Sequence, residues 1–184
     1  MEKVIVAGFG GQGVLFVGKL LAYTGMVTNR HVSWIPSYGP EMRGGTANCS
    51  VIISEREITS PIVNECTTLI AFNEPSIEKF APVIEKGGKL LFDASLIHLD
   101  KPEAAQYQWN AVPTLPIIEH IGLAKSLNMI MLGAFIKSST IITLEDIEKG
   151  LKEMIGGKRP ELIENNMKAI KEGYNWRKWV STHA

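Results

Sequence analysis

The sequence predicts a three-layer α/β/α fold with a mostly parallel, mixed central sheet, and three observations lead to this prediction. Short apolar runs such as Val4 to Ala7 alternate with helical segments, which is typical of strands buried on both faces of a parallel sheet. The stretch Thr46 to Ser54 instead alternates apolar and polar residues, which favours an antiparallel strand at the sheet edge. A length of 184 residues suits one compact domain, expected to span 1–184.

The first half of the chain follows a β-α-β order. The strand Val4 to Ala7 stops at Gly8 and leads into a helix predicted over Gln12 to Val27, in which a row of small residues permits close packing on the sheet. A second strand is predicted at Val32 to Ile35. A polar, glycine-rich loop from Ser37 to Gly45 then precedes the alternating strand.

The second half becomes mostly helical. Strands predicted at Thr68 to Phe72 and Lys89 to Phe92 flank a helix near Pro75 to Glu85, which is expected to end before a glycine pair. A strand is predicted at Gln108 to Val112, and an apolar segment follows at Asn128 to Ile136. Thr143 and Asp146 have the spacing of a capping box, which predicts the start of a helix that runs to Ile155. A final helix is predicted over about Pro160 to Val180.

Composition excludes several classes of function. Lysine plus arginine and aspartate plus glutamate both number 19, so no charge excess attracts a nucleic acid or an anionic membrane. The N-terminus lacks the pattern of a secretory signal and no apolar run is long enough to span a bilayer, so a cytoplasmic location is expected.

Metal-ligating residues are sparse and badly spaced for a site. Cys49 and Cys66 lie far apart, and the sequence contains no C-x-x-C motif. The four histidines show no pairing at helical spacing. We therefore expect neither a zinc site nor an iron–sulfur cluster from this chain alone.

The run from Gly8 to Gly13 contains a G-x-G-x-x-G motif between a predicted strand and helix. Such a turn lets a ligand approach the backbone, and the helix N-terminus favours a phosphate or carboxylate. A nicotinamide dinucleotide also requires a carboxylate at the end of the second strand, but Ser33 to Ser37 contains none, and Glu41 belongs to the following loop. Dinucleotide binding and tight strand-to-helix packing both remain interpretations of these glycines.

A second glycine-rich loop, Tyr38 to Gly45, places Glu41 and Arg43 after a predicted strand end. Open α/β sheets bind ligands or partners at such positions. A solvated surface loop is the alternative interpretation.

Taken together, the run Gly8 to Val14, the run Ser37 to Gly45 and the stretch Ile58 to Pro61 resemble the gamma subunit of 2-oxoacid:ferredoxin oxidoreductases in residues, order and spacing. Weaker similarity extends over nearly the whole chain. The resemblance implies a three-layer α/β/α fold and a part in the oxidative decarboxylation of a 2-oxoacid to an acyl-coenzyme A, with electrons passed to ferredoxin. The residues of these loops resemble the 2-oxoglutarate or general 2-oxoacid branch of the family more closely than the indolepyruvate branch.

The resemblance also implies that thiamine diphosphate and iron–sulfur clusters lie in alpha, beta and ferredoxin-like delta subunits, and that this chain binds no cofactor alone. We expect no catalytic residue in this chain, which should be inactive when isolated. A stand-alone NAD(P)-dependent oxidoreductase and a module for a phosphate-bearing ligand are the alternatives. The residues assigned to a cofactor-binding or subunit-interface surface are Gly10, Gly11, Gln12, Gly13, Tyr38, Glu41, Arg43, Gly44 and Gly45.

Overall fold

The computed structural model describes residues 1–38, 45–100, 106–156 and 159–180. These residues form a six-stranded sheet in the order β2-β3-β1-β4-β5-β6. Every strand runs in the same direction except β3, which is antiparallel to both of its neighbours. The strands are β1 Glu2–Phe9, β2 His31–Tyr38, β3 Thr46–Ser54, β4 Cys66–Ala71, β5 Ile84–Asp93 and β6 Gln108–Val112. The predicted α/β fold with a mixed, mostly parallel sheet is confirmed.

Helices cover the two faces of this sheet unequally. Val4 and Val6 of β1 point into a large apolar core that most of the helices share, whereas Ile5 and Ala7 point into a smaller core closed by Ile77 of α2 and its surroundings. The helices are α1 Val14–Val27, α2 Glu74–Phe80, α3 Thr114–Ile121, α4 Leu127–Ser138, α5 Leu144–Ile155, α6 Pro160–Tyr174 and α7 Arg177–Val180. Helices α1 and α3 to α6 lie on the larger-core side, and α2 lies on the other.

Helix α1 begins at Val14, two residues later than predicted, because Gly13 has a left-handed φ of 81° that cannot belong to the helix. Its row of small residues packs as predicted. A Cβ atom added to Gly18 would collide with Cys49 of β3, and one added to Gly25 would collide with Val32 of β2. The glycines therefore bring α1 close to the sheet on the side of the larger core.

The prediction that Thr46 to Ser54 is an edge strand is wrong. This strand, β3, is antiparallel as expected, but it lies between β2 and β1. Its alternation has another cause: Cys49, Val51 and Ile53 are buried towards α1, whereas Asn48 and Ser50 are half-buried on the other face. The edge position belongs to β2, an eight-residue strand with a proline, Pro36, in its interior.

Two predicted helix ends are wrong for local reasons. Helix α2 ends at Phe80 instead of Glu85, because Pro82 has no amide hydrogen to continue it, and a 3₁₀ turn over Ala81–Val83 follows. Glu85 belongs to β5, where the register with β4 shifts before Lys89. The final predicted helix is interrupted as well, since α6 ends at Tyr174 and Asn175 caps it before the short α7.

The predicted capping box of α5 is confirmed. The Thr143 hydroxyl accepts a hydrogen bond from the amide of Asp146 at 3.1 Å, and the Asp146 carboxylate accepts one from the amide of Thr143 at 3.1 Å. Within the described ranges, no helix has the length and apolar character needed to cross a bilayer.

Helices α4 and α6 cross at a pair of glycines. A Cβ atom on Gly173 would collide with the backbone of Ile130, and one on Gly133 would collide with the backbone of Ile170. The two helix backbones are thus in direct contact, which fixes α6 against the larger core.

This contact predicts the effect of Gly173→Ala. Alanine has the higher helix propensity by about 1 kcal/mol, but the added methyl group must push two backbones apart, so we expect a net loss of about 1–3 kcal/mol in unfolding free energy. Chemical denaturation measures it. Glu164→Ala, at an exposed position of the same helix, is the control and should change stability by less than about 0.5 kcal/mol. A Gly173→Ala protein as stable as the parent would contradict this packing.

Candidate functional site

The first glycine-rich loop and the two described ends of the second, Tyr38 and Gly45, lie at one edge of the sheet, where the parallel strands end. Strand β1 ends at Phe9, which pairs with Thr46 at the start of β3, and β2 ends at Tyr38, which pairs with Ala47. The amide of Gly10 donates a hydrogen bond of 2.9 Å to the carbonyl of Gly45. The predicted site residues Gly10 and Gly45 are therefore in direct contact.

The backbone of the first loop depends on its glycines. Gly11 and Gly13 have φ angles of 96° and 81°, values that disfavour a side chain. Gly13 also lies against Asn128 at the start of α4, where an added Cβ would collide with the Asn128 carboxamide. This close approach joins the glycine loop to α4 as well as to the sheet.

The side chain of Gln12 points into the structure. Its Oε1 accepts a hydrogen bond of 2.6 Å from the amide of Phe9, and its Nε2 donates one of 3.1 Å to the carbonyl of Phe72, just after β4. The first turn of the loop is closed by a bond of 3.2 Å from the amide of Gln12 to the carbonyl of Phe9. Gln12 thus links the ends of two neighbouring strands.

This edge is a topological switch point. Helix α1 follows β1 on the larger-core side, whereas α2 follows the adjacent β4 on the other side, and open α/β sheets bind ligands in the crevice that such a divergence creates. The first turn of α1 contains no acidic residue, and Gly13 provides no capping side chain. The positive end of the α1 dipole therefore favours a negative group here.

The geometry does not support a nicotinamide dinucleotide. Strand β3 lies between β1 and β2, so the strand whose end would bind the ribose hydroxyls is not adjacent to the glycine loop. Strand β2, His31–Tyr38, also contains no carboxylate.

Other polar residues at this edge have structural partners. Asn73 accepts a hydrogen bond of 2.9 Å from the amide of Ser76 and caps α2. Asp93 is fully buried at the end of β5 and accepts hydrogen bonds from the Thr114 hydroxyl at 2.6 Å and the Ser95 amide at 3.0 Å. Burial raises the pKa of the Asp93 carboxyl, and these hydrogen bonds act in the opposite direction. Asp93 therefore links the turn that follows β5 to the first residue of α3.

Exposed apolar side chains at the same edge were missed by the sequence analysis. Phe9 and Phe16 are 38% and 37% exposed at the end of β1 and in the first turn of α1, and Leu96 and Leu115 are 60% and 51% exposed after β5 and in the first turn of α3. Their sequence context is that of ordinary core residues, so only the structure distinguishes them. Exposed apolar groups around a polar centre are typical of a protein-binding surface.

Three of the predicted site residues, Glu41, Arg43 and Gly44, lie outside the described residues, as does the side chain of Tyr38. Cys49 and Cys66 are buried and unpaired with each other, and burial raises their pKa values to about 11 and about 12. Within the part of the chain that the structure describes, histidine, cysteine and acidic residues form no cluster suited to a metal ion.

The chain is an α/β domain whose first glycine loop lies at the carboxyl edge of its sheet. A family model described as pyruvate ferredoxin/flavodoxin oxidoreductase matches residues 3–176. The chain therefore belongs to the pyruvate ferredoxin/flavodoxin oxidoreductase family, and the resemblance found from the sequence is confirmed.

Two relatives and one solved structure show the extent of the similarity. The ketoisovalerate oxidoreductase subunit VorA of Methanothermobacter marburgensis is 37% identical over 175 residues, which cover 95% of this chain but 36% of that protein. The 2-oxoglutarate synthase subunit KorC of Methanocaldococcus jannaschii is 31% identical over 175 residues, covering 94% of this chain and 92% of that protein. The keto/oxoacid ferredoxin oxidoreductase gamma subunit of Geobacter sulfurreducens superimposes with a TM-score of 0.79 at 26% identity, covering 97% of this chain and 99% of the other.

We expect NAD and NADP to bind no tighter than about millimolar, because the loop offers amides for a phosphate but β2 is separated from it by β3 and contains no carboxylate for the ribose hydroxyls. Isothermal titration calorimetry of the full chain measures this affinity. A micromolar dissociation constant for either nucleotide would support the dehydrogenase alternative instead.

Proposed function

We propose that this chain is the gamma subunit of a 2-oxoacid:ferredoxin oxidoreductase. The complex would convert a 2-oxoacid and coenzyme A to an acyl-coenzyme A, CO₂ and reduced ferredoxin. Family membership and the full-length similarity to a gamma subunit support this assignment. In this proposal residues 1–184 act as one domain in the cytoplasm.

The observation on which the proposal depends is the hydrogen bond between Gly10 and Gly45. It joins the first loop that carries the family resemblance to Gly45, the last residue of the second. Residues Val4 to Gly18 contain no charged side chain, and Phe9 and Phe16 expose apolar area beside them. An uncharged surface with aromatic groups is suited to burial against another subunit.

The chemistry itself is assigned to partner subunits. Thiamine diphosphate would stabilise the carbanion and iron–sulfur clusters would transfer the electrons, both in the alpha, beta and ferredoxin-like delta subunits. Both thiols of this chain are buried, so neither is accessible as a cluster ligand. The gamma subunit would contribute by closing or supporting the active site of its partners.

Substrate choice is assigned to the partners as well. The relatives named ketoisovalerate oxidoreductase and 2-oxoglutarate synthase match this chain at similar identity over nearly the same length. Relatives named for two substrates of different size and charge are thus similar to the same chain. The proposal therefore leaves the 2-oxoacid to be determined by the other subunits.

We expect the isolated chain to be colourless, to contain no iron and to turn over no 2-oxoacid, even with thiamine diphosphate, coenzyme A and an electron acceptor added. The physical reason is that both thiols are buried and that the described residues form no cluster suited to a metal ion. Iron analysis and an acceptor-reduction assay test this expectation. Stoichiometric iron, or steady turnover, would assign the redox chemistry to this chain.

Arg43→Ala tests the proposed surface directly. A guanidinium followed by two glycines, Gly44 and Gly45, is suited to a carboxylate or phosphate on a facing subunit. The substitution should therefore weaken assembly or activity by about 2–5 kcal/mol, because the partner charge loses its pair. The stability of the chain alone should change by less than about 1 kcal/mol. Reconstitution with the other subunits and thermal melting of the chain alone measure the two effects.

Arg56→Ala is the matched control, since Arg56 is exposed just beyond the end of β3, at the opposite edge of the sheet. It should leave both assembly and stability near the parent values. If Arg43→Ala assembled and turned over like the parent, or if it strongly destabilised the chain alone, the functional surface would lie elsewhere.

A further inference from the structure

At the carboxyl edge, the hydrogen bonds between the parallel strands β1 and β4 change from backbone-to-backbone bonds to bonds with a side chain. Ala7 pairs with Ala71, and the amide of Phe72 donates a hydrogen bond of 2.9 Å to the carbonyl of Ala7. In a continuing parallel ladder, the next hydrogen bond would run from the amide of Phe9 to the carbonyl of Phe72. Both of these groups are instead bonded to Gln12.

The side-chain amide of Gln12 therefore takes the place of that direct hydrogen bond. Its oxygen accepts from Phe9 at 2.6 Å, and its nitrogen donates to Phe72 at 3.1 Å. The insertion keeps both backbone groups satisfied while it separates the two strands. The strands thus diverge at the switch point without leaving an unpaired donor or acceptor.

Few side chains can replace Gln12 in this position. The inserted group must present one acceptor and one donor side by side, which a carboxamide does and an ionised carboxylate does not. Asparagine has the same group on a chain shorter by one methylene. Glutamine is therefore matched to the gap by both chemistry and length.

The insertion also bears on the position of Gly45. Phe9, which Gln12 holds, is followed directly by Gly10, whose amide binds the carbonyl of Gly45 at 2.9 Å. Gly45 is the last residue of the loop that contains Glu41 and Arg43. A displacement of Phe9 would therefore disturb the hydrogen bond to Gly45.

We propose that Gln12 is a positioning residue, whose side-chain amide inserts between β1 and β4 and thereby holds the loop Gly8 to Gly13, and through Gly10 also Gly45, in the arrangement that a partner subunit recognises. Gln12 acts from inside the chain, through Phe9 and Gly10, and need not touch the partner. The last step, recognition by a partner, rests on the proposed function.

The first test is amide hydrogen exchange, resolved by residue with NMR, on the full chain of the parent and of Gln12→Met. Methionine has a similar length but makes neither hydrogen bond. The amides of Phe9 and Gly10 should exchange at least about tenfold faster, whereas those of Val6 and Ile70, in the fully buried part of β1 and β4, should exchange at the parent rate. Unchanged exchange at Phe9 and Gly10 would overturn the proposal.

Two further variants control this experiment. Gln12→Ala removes the same hydrogen bonds without adding bulk, and it should show the same faster exchange. Gln108→Met makes the identical chemical change at an exposed position of the edge strand β6. Gln108→Met should leave the exchange rates of the Phe9 and Gly10 amides unaltered. Faster exchange of these two amides in Gln108→Met would show that the effect is not specific to Gln12.

The second test measures the affinity of each variant for the other subunits of the complex, by sedimentation or surface plasmon resonance. Gln12→Met should weaken binding about tenfold or more, and Gln108→Met should not. If Arg43→Ala weakens assembly while Gln12→Met does not, the proposed function stands and the positioning role is wrong. If neither variant weakens assembly, the proposed interface itself is wrong.

Discussion

The insertion of the antiparallel strand β3 between β1 and β2 is the constraint on which the site depends. Because β3 returns in the opposite direction, its connection from β2 begins and ends at the carboxyl edge, directly beside the glycine loop. The hydrogen bond between Gly10 and Gly45 forms because the end of that connection lies next to the glycine loop. The same insertion separates the glycine loop from the end of β2, so a turn that resembles a dinucleotide motif in sequence has lost the adjacent strand that such a cofactor requires.

The carboxyl edge of the sheet is supported mainly by the helices on one face. Most of the helices lie on one face of the sheet, where close contacts at glycines such as Gly18, Gly133 and Gly173 bring helix and strand backbones together. The glycine loop is held within this framework by α1 on one side and by Asn128 of α4 on the other. A loop with left-handed glycines is therefore attached to rigid elements at both ends, which favours preorganised recognition.

The sequence predicts what depends on local chemistry and misses what depends on distant pairing. Hydrophobic runs locate the strands, and the capping box of Thr143 and Asp146 locates the start of α5, because these signals act within a few residues. The alternation of β3 does not distinguish an edge strand from an internal strand whose second face is half-buried at Asn48 and Ser50, so the predicted edge position is wrong. The two glycine loops are predictable as site candidates, but the inward orientation of Gln12 and the exposure of Phe16 depend on contacts far along the chain.

The edge strand β2 adds a consequence for how this sheet can associate. Its pairing with β3 continues across Pro36 without a break, which requires the ring nitrogen to face the open side, where it has no hydrogen to donate. A foreign strand aligned along β2 would thus meet a gap in the middle of the row of donors, with the pyrrolidine ring projecting towards it. Proline in this position protects proteins from uncontrolled sheet extension and fibrillar aggregation, so the outer edge of β2 is closed to growth by strand addition.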